Sequence, residues 1–195
     1  MENDRKSQII KAAVKRFARH GLNKTTLTEI ARDLRIGKAT IYHYFKSKEE
    51  LYYQTLEYDV SLFTEDITQI FNNKEIPLKQ RFIEYFNYKE QVYEKYKVLY
   101  DLITRHLREE TLEKDILILK KLLQNEENVL RLVLNLPQEN KIGSTIQLSP
   151  ATLIMLSWGI LFWNKLNAIT EQESQVSSKE LVYKNLDSML NLFIE

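Results

Sequence analysis

Turn-forming residues are what this chain lacks. Only 4 of its 195 residues are Gly and 3 are Pro, too few for a fold built on hairpins and tight turns. Long helices joined by a few sharp breaks are therefore expected, an all-α fold. Hydrophobic residues make up 44% and charged residues 28%, as in an ordinary globular chain. The length suits one large domain or a small head on a larger body. Cysteine is absent, which excludes disulfides and thiolate metal sites and fits a reducing compartment. The N-terminal MENDRKSQIIKAA has no apolar core of signal-peptide length. The longest apolar stretch, ATLIMLSWGILFW at 151–163, is broken by Thr and Ser and falls short of the ~20 residues of a spanning helix. A soluble cytoplasmic protein with no membrane partner is expected.

The apolar residues Ile9, Ile10, Ala13, Val14 and Phe17 fall at helical spacing between Arg5 and His20, and Gly21 supplies a stop. A second helix starts near Thr26 or Thr28. Thr26 with Glu29 three places on is a capping-box pattern, and Ile30, Ala31 and Leu34 form the inner face. A turn at 35–37 leads to a third helix of about eight residues, with Ile36, Ile41 and Phe45 facing inward. Ser47 is suited to cap a long fourth helix, with Glu49 and Glu50 in its first turn. That helix runs from Lys48 to about Phe71, where NNKEIP at 72–77 breaks it. Further helices are expected over 78–93, 94–108 and 111–135. After a long loop (136–150), Pro150 opens a helix ending near Ala168, and a last helix runs from about Ser178 to Phe193, about nine in all.

Charge is unevenly divided. Residues 1–50 carry 12 Lys and Arg against 6 Asp and Glu, a surplus of six cations, whereas the remainder carries 16 against 21. A basic head on an acidic body is the footprint of a nucleic-acid contact confined to one end. Within that head, two helices joined by a three-to-four-residue turn, the second short and polar-faced, make a helix-turn-helix. Its second helix, in GKATIYHYFKSKEEL at 37–51, would lie in the major groove, which admits one α-helix and displays a distinct pattern for each base pair. Lys38, Ala39, Thr40 and His43 are the candidates to reach base edges. Tyr42, Tyr44 and Lys48 suit phosphates, which fix register without reading sequence. Lys48 also sits at a helix N-terminus, where backbone amides favour an anion.

The run IIKAAVKRFARHGLNKTTLTEIARDLRIGKATIYHYFKSKEEL, within Arg5 to Leu51, resembles the DNA-binding head of the TetR family of bacterial transcriptional repressors. The resemblance lies in an Ala-Ala-x-x-x-Phe helix ending at Gly21, then Thr-Thr-Leu-x-x-Ile-Ala. An Ile-Tyr-x-x-Phe recognition helix and Lys-Glu-Glu-Leu complete it. It implies a homodimer on a palindromic double-stranded DNA operator, and it places Thr26, Tyr42 and Lys48 at phosphates and Lys38, Thr40 and His43 at bases. It also implies a helix-turn-helix domain over 1–47 and a helical ligand-binding and dimerisation domain over 48–195. Two positions depart from the family's pattern. Arg35 stands where the family usually has Gly, a left-handed position costing a non-Gly residue on the order of 1 kcal/mol, and its charge can reach a phosphate. Gly37 stands where a capping Ser is common, at little cost as an N-cap.

Beyond residue 52 no sharp motif appears. The helix after Pro150 is apolar nearly all round, which requires burial on its own core and on a partner. The resemblance implies that the last two helices form the dimer interface. It also implies a pocket for a small-molecule effector among the middle helices, rich in Tyr and Phe. Tyr100, Ile103, Trp158 and Phe162 are the candidate pocket residues, although aromatics at helical spacing more often form core. Tyrosine hydroxyls there would favour a largely apolar ligand with one or two polar groups. No cofactor is called for. His106 with Glu109 or Glu110 has helical metal-ligand spacing, but no phosphate loop or nucleophile motif accompanies it, so an enzyme is not expected. A helical ligand carrier or interaction module is the alternative; it explains the aromatic body but not the basic head.

Overall fold

The computed structural model describes residues 2–135 and 149–167, together with Ser188. Among the described residues every regular element is helical: α1 (Glu2–Lys24), α2 (Leu27–Asp33), α3 (Lys38–Tyr44), α4 (Lys48–Asn72), α5 (Leu78–Lys95), α6 (Lys97–Leu107), α7 (Glu113–Val133) and α8 (Pro150–Asn167). This is the all-α order expected, with eight helices in the described part. The expected helix over 178–193, and the 136–150 loop up to residue 148, lie outside the described residues.

The head follows from its local chemistry. Gly21 takes φ 72° and ψ 173°, a backbone state that L side chains avoid, so the helical path of α1 breaks there even though helical residues continue to Lys24. The Thr25 hydroxyl then donates to the Gly21 carbonyl at 2.8 Å. Thr26 caps α2 with the full reciprocal box: its hydroxyl accepts the Glu29 amide, and the Glu29 carboxylate accepts the Thr26 amide. At the other end of α2, Arg35 adopts φ 54°. Its amide donates to Arg32 O at 3.1 Å and the Ile36 amide to Ala31 O at 3.0 Å, the two bonds of a Schellman stop. Ser47 Oγ accepts the Glu50 amide at 3.1 Å and so caps α4.

The described chain groups into two compact units, one of residues 1–63 and 93–121, the other of 64–92 and the described residues from 122 onward. In the first, α1 packs on both α2 and α6, and Ile9, Ala13, Phe17, Ile30, Ala31, Ile41 and Phe45 form the buried centre of the head. Leu34 and Ile36, expected inside, are half-buried. Phe17 meets Tyr52 edge-on at 5.2 Å. The Tyr52 hydroxyl accepts from Arg105 at 2.8 Å, and burial pushes its own ionisation up to about 12. Arg105 lies 3.5 Å from the buried Asp115 carboxylate, which also accepts the Tyr53 hydroxyl and the Leu112 amide. One ring contact and a polar chain thus tie α1, α4, α6 and α7 together within this unit.

In the second unit Phe71, Phe82, Tyr85, Phe86 and Tyr88 are buried. Phe71 meets Phe82 and Tyr85 at ring separations of 5.0 and 5.4 Å. The buried tyrosines have partners for their hydroxyls, as buried polar groups require: Tyr88 donates to Asp66 and Tyr85 to Glu126. On α8, Leu153, Ser157 and Leu161 form a buried stripe, while Ala151, Met155 and Gly159 form an exposed one. No helix of the described residues is long and apolar enough to cross a membrane.

Candidate nucleic-acid interface

Helix α3 carries the candidate interface. Ile41 is its one fully buried residue and, with Phe45 just past its end, seats it on the head. Lys38, Ala39, Tyr42 and His43 are exposed, and Thr40 and Tyr44 half-buried. Gly37 serves as N-cap with no side-chain bond, leaving the first-turn amides uncapped by a side chain. The Lys38 ammonium lies 5.5 Å from the centre of the Tyr42 ring, a cation–π spacing that presents both groups together. His43 packs edge-on against Tyr44 at 5.0 Å.

Three elements bring the expected phosphate contacts together. Thr26 at the start of α2, Lys38 and Tyr42 on α3, and Lys48 at the start of α4 line one open depression, joined by Thr28, Lys46 and Ser47. Arg35, Ala39, Thr40, His43 and Tyr44 are outside that lining. The Thr26 hydroxyl is already engaged with Glu29 at 2.8 Å, and this bond, with that of the Thr26 amide, holds the Glu29 carboxyl below its usual range. Lys48 donates to the Leu22 carbonyl at 2.9 Å, binding the start of α4 to the end of α1. An ammonium has three protons, so this bond leaves donors for an anion. Charge in the depression is +3 from Lys38, Lys46 and Lys48 against −1 from Glu49, whose carboxyl is held low by its own backbone amide and by Ser47.

The candidate pocket residues fall into different units. Tyr100 and Ile103 lie half-buried on α6 in the first, with Tyr100 edge-on to Tyr93 at 5.0 Å. Trp158 and Phe162 lie half-buried on α8 in the second. His106 is exposed and bonds Thr111 at 3.1 Å. No three His, Asp or Glu side chains converge as a metal site among the described residues.

What the residue pattern did not disclose is a buried polar cluster beneath Trp158. Lys89, Glu126, Tyr85 and Ser157 are all fully buried. Lys89 pairs with Glu126, which also accepts the Tyr85 hydroxyl at 2.5 Å and the Trp158 indole N–H at 3.0 Å. Ser157 lies 3.0 Å from the Tyr85 hydroxyl, and the Lys89 ammonium sits 3.9 Å from the centre of a Trp158 ring. Burial pushes the Lys89 ammonium down while Glu126 opposes the shift. The signal was available. Lys89 follows Phe82, Tyr85 and Phe86 on the buried stripe of α5, and Glu126 continues Ile118 and Leu122 at four-residue spacing on α7.

Residues 9–54 match the family described as bacterial regulatory proteins, tetR family. Among curated proteins, the chain is similar to the uncharacterized HTH-type transcriptional regulator YhgD of Bacillus subtilis (strain 168). The two are 46% identical over 52 residues, 27% of either chain. The curated relatives it matches are matched over about a quarter of their own length. Among solved structures, a putative transcriptional regulator from Saccharomonospora viridis in complex with choline superposes with a TM-score of 0.69 at 15% identity, covering 98% of each chain. The regulator FadR from Bacillus subtilis in complex with stearoyl-CoA gives 0.58 at 22%, covering 97% of each. At these identities the likeness shows a shared fold along nearly the whole length.

Proposed function

We propose that the chain is a TetR-family helix-turn-helix transcriptional regulator, a repressor that binds a palindromic operator as a homodimer; the match of its head over residues 9–54 supports this reading. The observation that carries this reading is the exposed face of α3 beside the depression shared by Thr26, Lys38, Tyr42 and Lys48. Lys38, Ala39, Thr40 and His43 meet base edges in the major groove. Arg35, Tyr42, Tyr44 and Lys48 hold phosphates on either side, and Thr26 joins them by exchanging its hydroxyl's bond to Glu29 for one to a phosphate. The DNA-binding domain is 1–47, and 48–195 carries dimerisation and effector binding. Support for dimerisation comes from the exposed Ala151–Met155–Gly159 stripe on an otherwise apolar helix.

Repression ends when a small, largely apolar effector binds the dimer in its non-DNA-competent state more tightly than in the competent one. A coupling of about 1–3 kcal/mol shifts DNA affinity roughly 5- to 150-fold. Tyr100 and Ile103 in the first unit, and Trp158 and Phe162 in the second, are proposed as effector contacts each within its own unit. That structural neighbours hold choline or stearoyl-CoA supports a ligand in a body of this fold and leaves its identity open.

The test is binding to a labelled fragment from upstream of the protein's own gene, against a scrambled fragment, at two salt concentrations. Specific binding keeps a preference of about a thousandfold at the higher salt, whereas phosphate-only binding treats both alike and falls steeply. Absence of binding to either fragment at both salts would overturn the reading and favour a ligand carrier.

A further inference from the structure

A second hollow in the first unit shares no residue with the α3 depression. It has a volume of about 730 Å³ and is lined by Lys15, Arg16, Arg19 and His20 from the later turns of α1, Asp33 from the end of α2, and Lys97 from the first turn of α6. Arg16 and Asp33 neutralise each other: the guanidinium donates twice to the carboxylate at 2.5 and 2.6 Å, which holds the Asp33 carboxyl below its usual range. Lys15, Arg19 and Lys97 remain as a surplus of three positive charges. Lys97 comes from sequence almost eighty residues away, brought in by the packing of α1 on α6. Three cations lining one hollow raise the local positive potential and favour an anion there.

We infer that this hollow binds a soluble organic phosphate carrying at least two phosphoryl groups, such as a nucleotide di- or triphosphate. The hollow opens to solvent, and its volume of about 730 Å³ leaves room for an anion larger than a single inorganic phosphate. The Arg19 guanidinium suits bidentate phosphate recognition, and the two lysines act as point charges beside it. DNA backbone phosphates share this chemistry, and duplex binding by the same variants separates the two sources. A phosphate ligand here bridges the head's first helix to α6. Such binding is independent of whether the protein represses transcription.

Isothermal titration of the full chain with inorganic tripolyphosphate, free of divalent metal, tests it. One bound ion per chain with a submillimolar Kd is expected for the wild type. Lys15→Gln with Lys97→Gln is expected to weaken binding about tenfold or more. Lys74→Gln with Lys120→Gln, which removes the same charge from exposed positions elsewhere, stays within about twofold. Both pairs are exposed, and circular dichroism melts confirm folding. Failure of the wild type to bind, or equal losses in the two double variants, overturns the assignment. A separate arm measures duplex DNA binding without polyphosphate. Affinity of the Lys15→Gln/Lys97→Gln variant within about twofold of wild type supports a soluble ligand. A marked drop with a shallower salt slope assigns the hollow to DNA phosphates and overturns it as well.

Discussion

At the scale of single residues, the departures from pattern are the informative positions. Arg35 was legible in the sequence as a non-Gly residue in a left-handed turn, and its φ of 54° with both Schellman bonds formed bears this out. Arg35→Gly is therefore expected to raise stability by about 1 kcal/mol, a gain of roughly 2–4 °C in Tm for a chain of this size. If Arg35 also meets a phosphate, the same variant lowers the salt slope of operator binding by about one, so melting and salt titration separate its two roles. Lys89 and Glu126 were not singled out, because a charged residue on a helix reads as solvated until its stripe is checked against buried neighbours. Removing one partner strands a charge with no water to compensate it. Lys89→Met is expected to cost on the order of 3–5 kcal/mol in urea unfolding, whereas Lys89→Met with Glu126→Leu recovers more than half of the loss. A single-variant cost no larger than that of the double variant would show that water reaches the pair.

At the scale of elements, boundaries were legible wherever the chain caps itself. Thr26, Ser47 and Pro150 start their helices in the structure as local chemistry requires, and Gly21 breaks the path of α1. The start of α6 was not legible, because its cap comes from another helix. The buried Asp59 carboxyl on α4, 2% exposed, accepts the backbone amide of Leu99 in the first turn of α6, while its second oxygen has no hydrogen-bond partner. No sequence pattern joins residues 40 positions apart. Burial raises the Asp59 carboxyl to about 7, against 3.9 in an unfolded chain. The folded state therefore holds this proton more tightly than the unfolded one. The group's contribution is fully present below pH 4 and is lost as pH rises to 7. Between pH 6 and 8 that loss is on the order of 1 kcal/mol. Carboxyls held low, such as Glu29 and Asp33, stay ionised throughout this interval. Asp59→Asn keeps an acceptor for Leu99 and removes the titration. Its unfolding free energy is expected to stay flat from pH 6 to 8 and to exceed that of the wild type at pH 8. An unchanged slope in the variant would assign the pH dependence to another group.

At the scale of the whole molecule, the basic head and the aromatic body were legible from charge and composition, but the proposed dimer depends on a surface that sequence only implies. Helix α8 is apolar nearly all round, yet Met155 is 67% exposed, between Ala151 and Gly159 on one stripe. In a monomer a charge at that position costs almost nothing, since the side chain already faces water. In a dimer built on this stripe it buries an unpaired carboxylate, which is costly without a partner. Met155→Glu is thus expected to leave the thermal unfolding of the isolated subunit nearly unchanged while shifting the sedimenting species from dimer to monomer. The consequence for DNA follows from effective concentration. Once one head of a dimer binds its half-site, the second meets its own at a local concentration in the millimolar range, so joining two weak contacts raises affinity by about 10²–10⁴. The variant should lose operator affinity within that range and retain the wild-type affinity for a single half-site. A dimer that persists in Met155→Glu, with full operator affinity, would place the interface on another face. A monomeric wild type with full operator affinity would remove the need for pairing altogether.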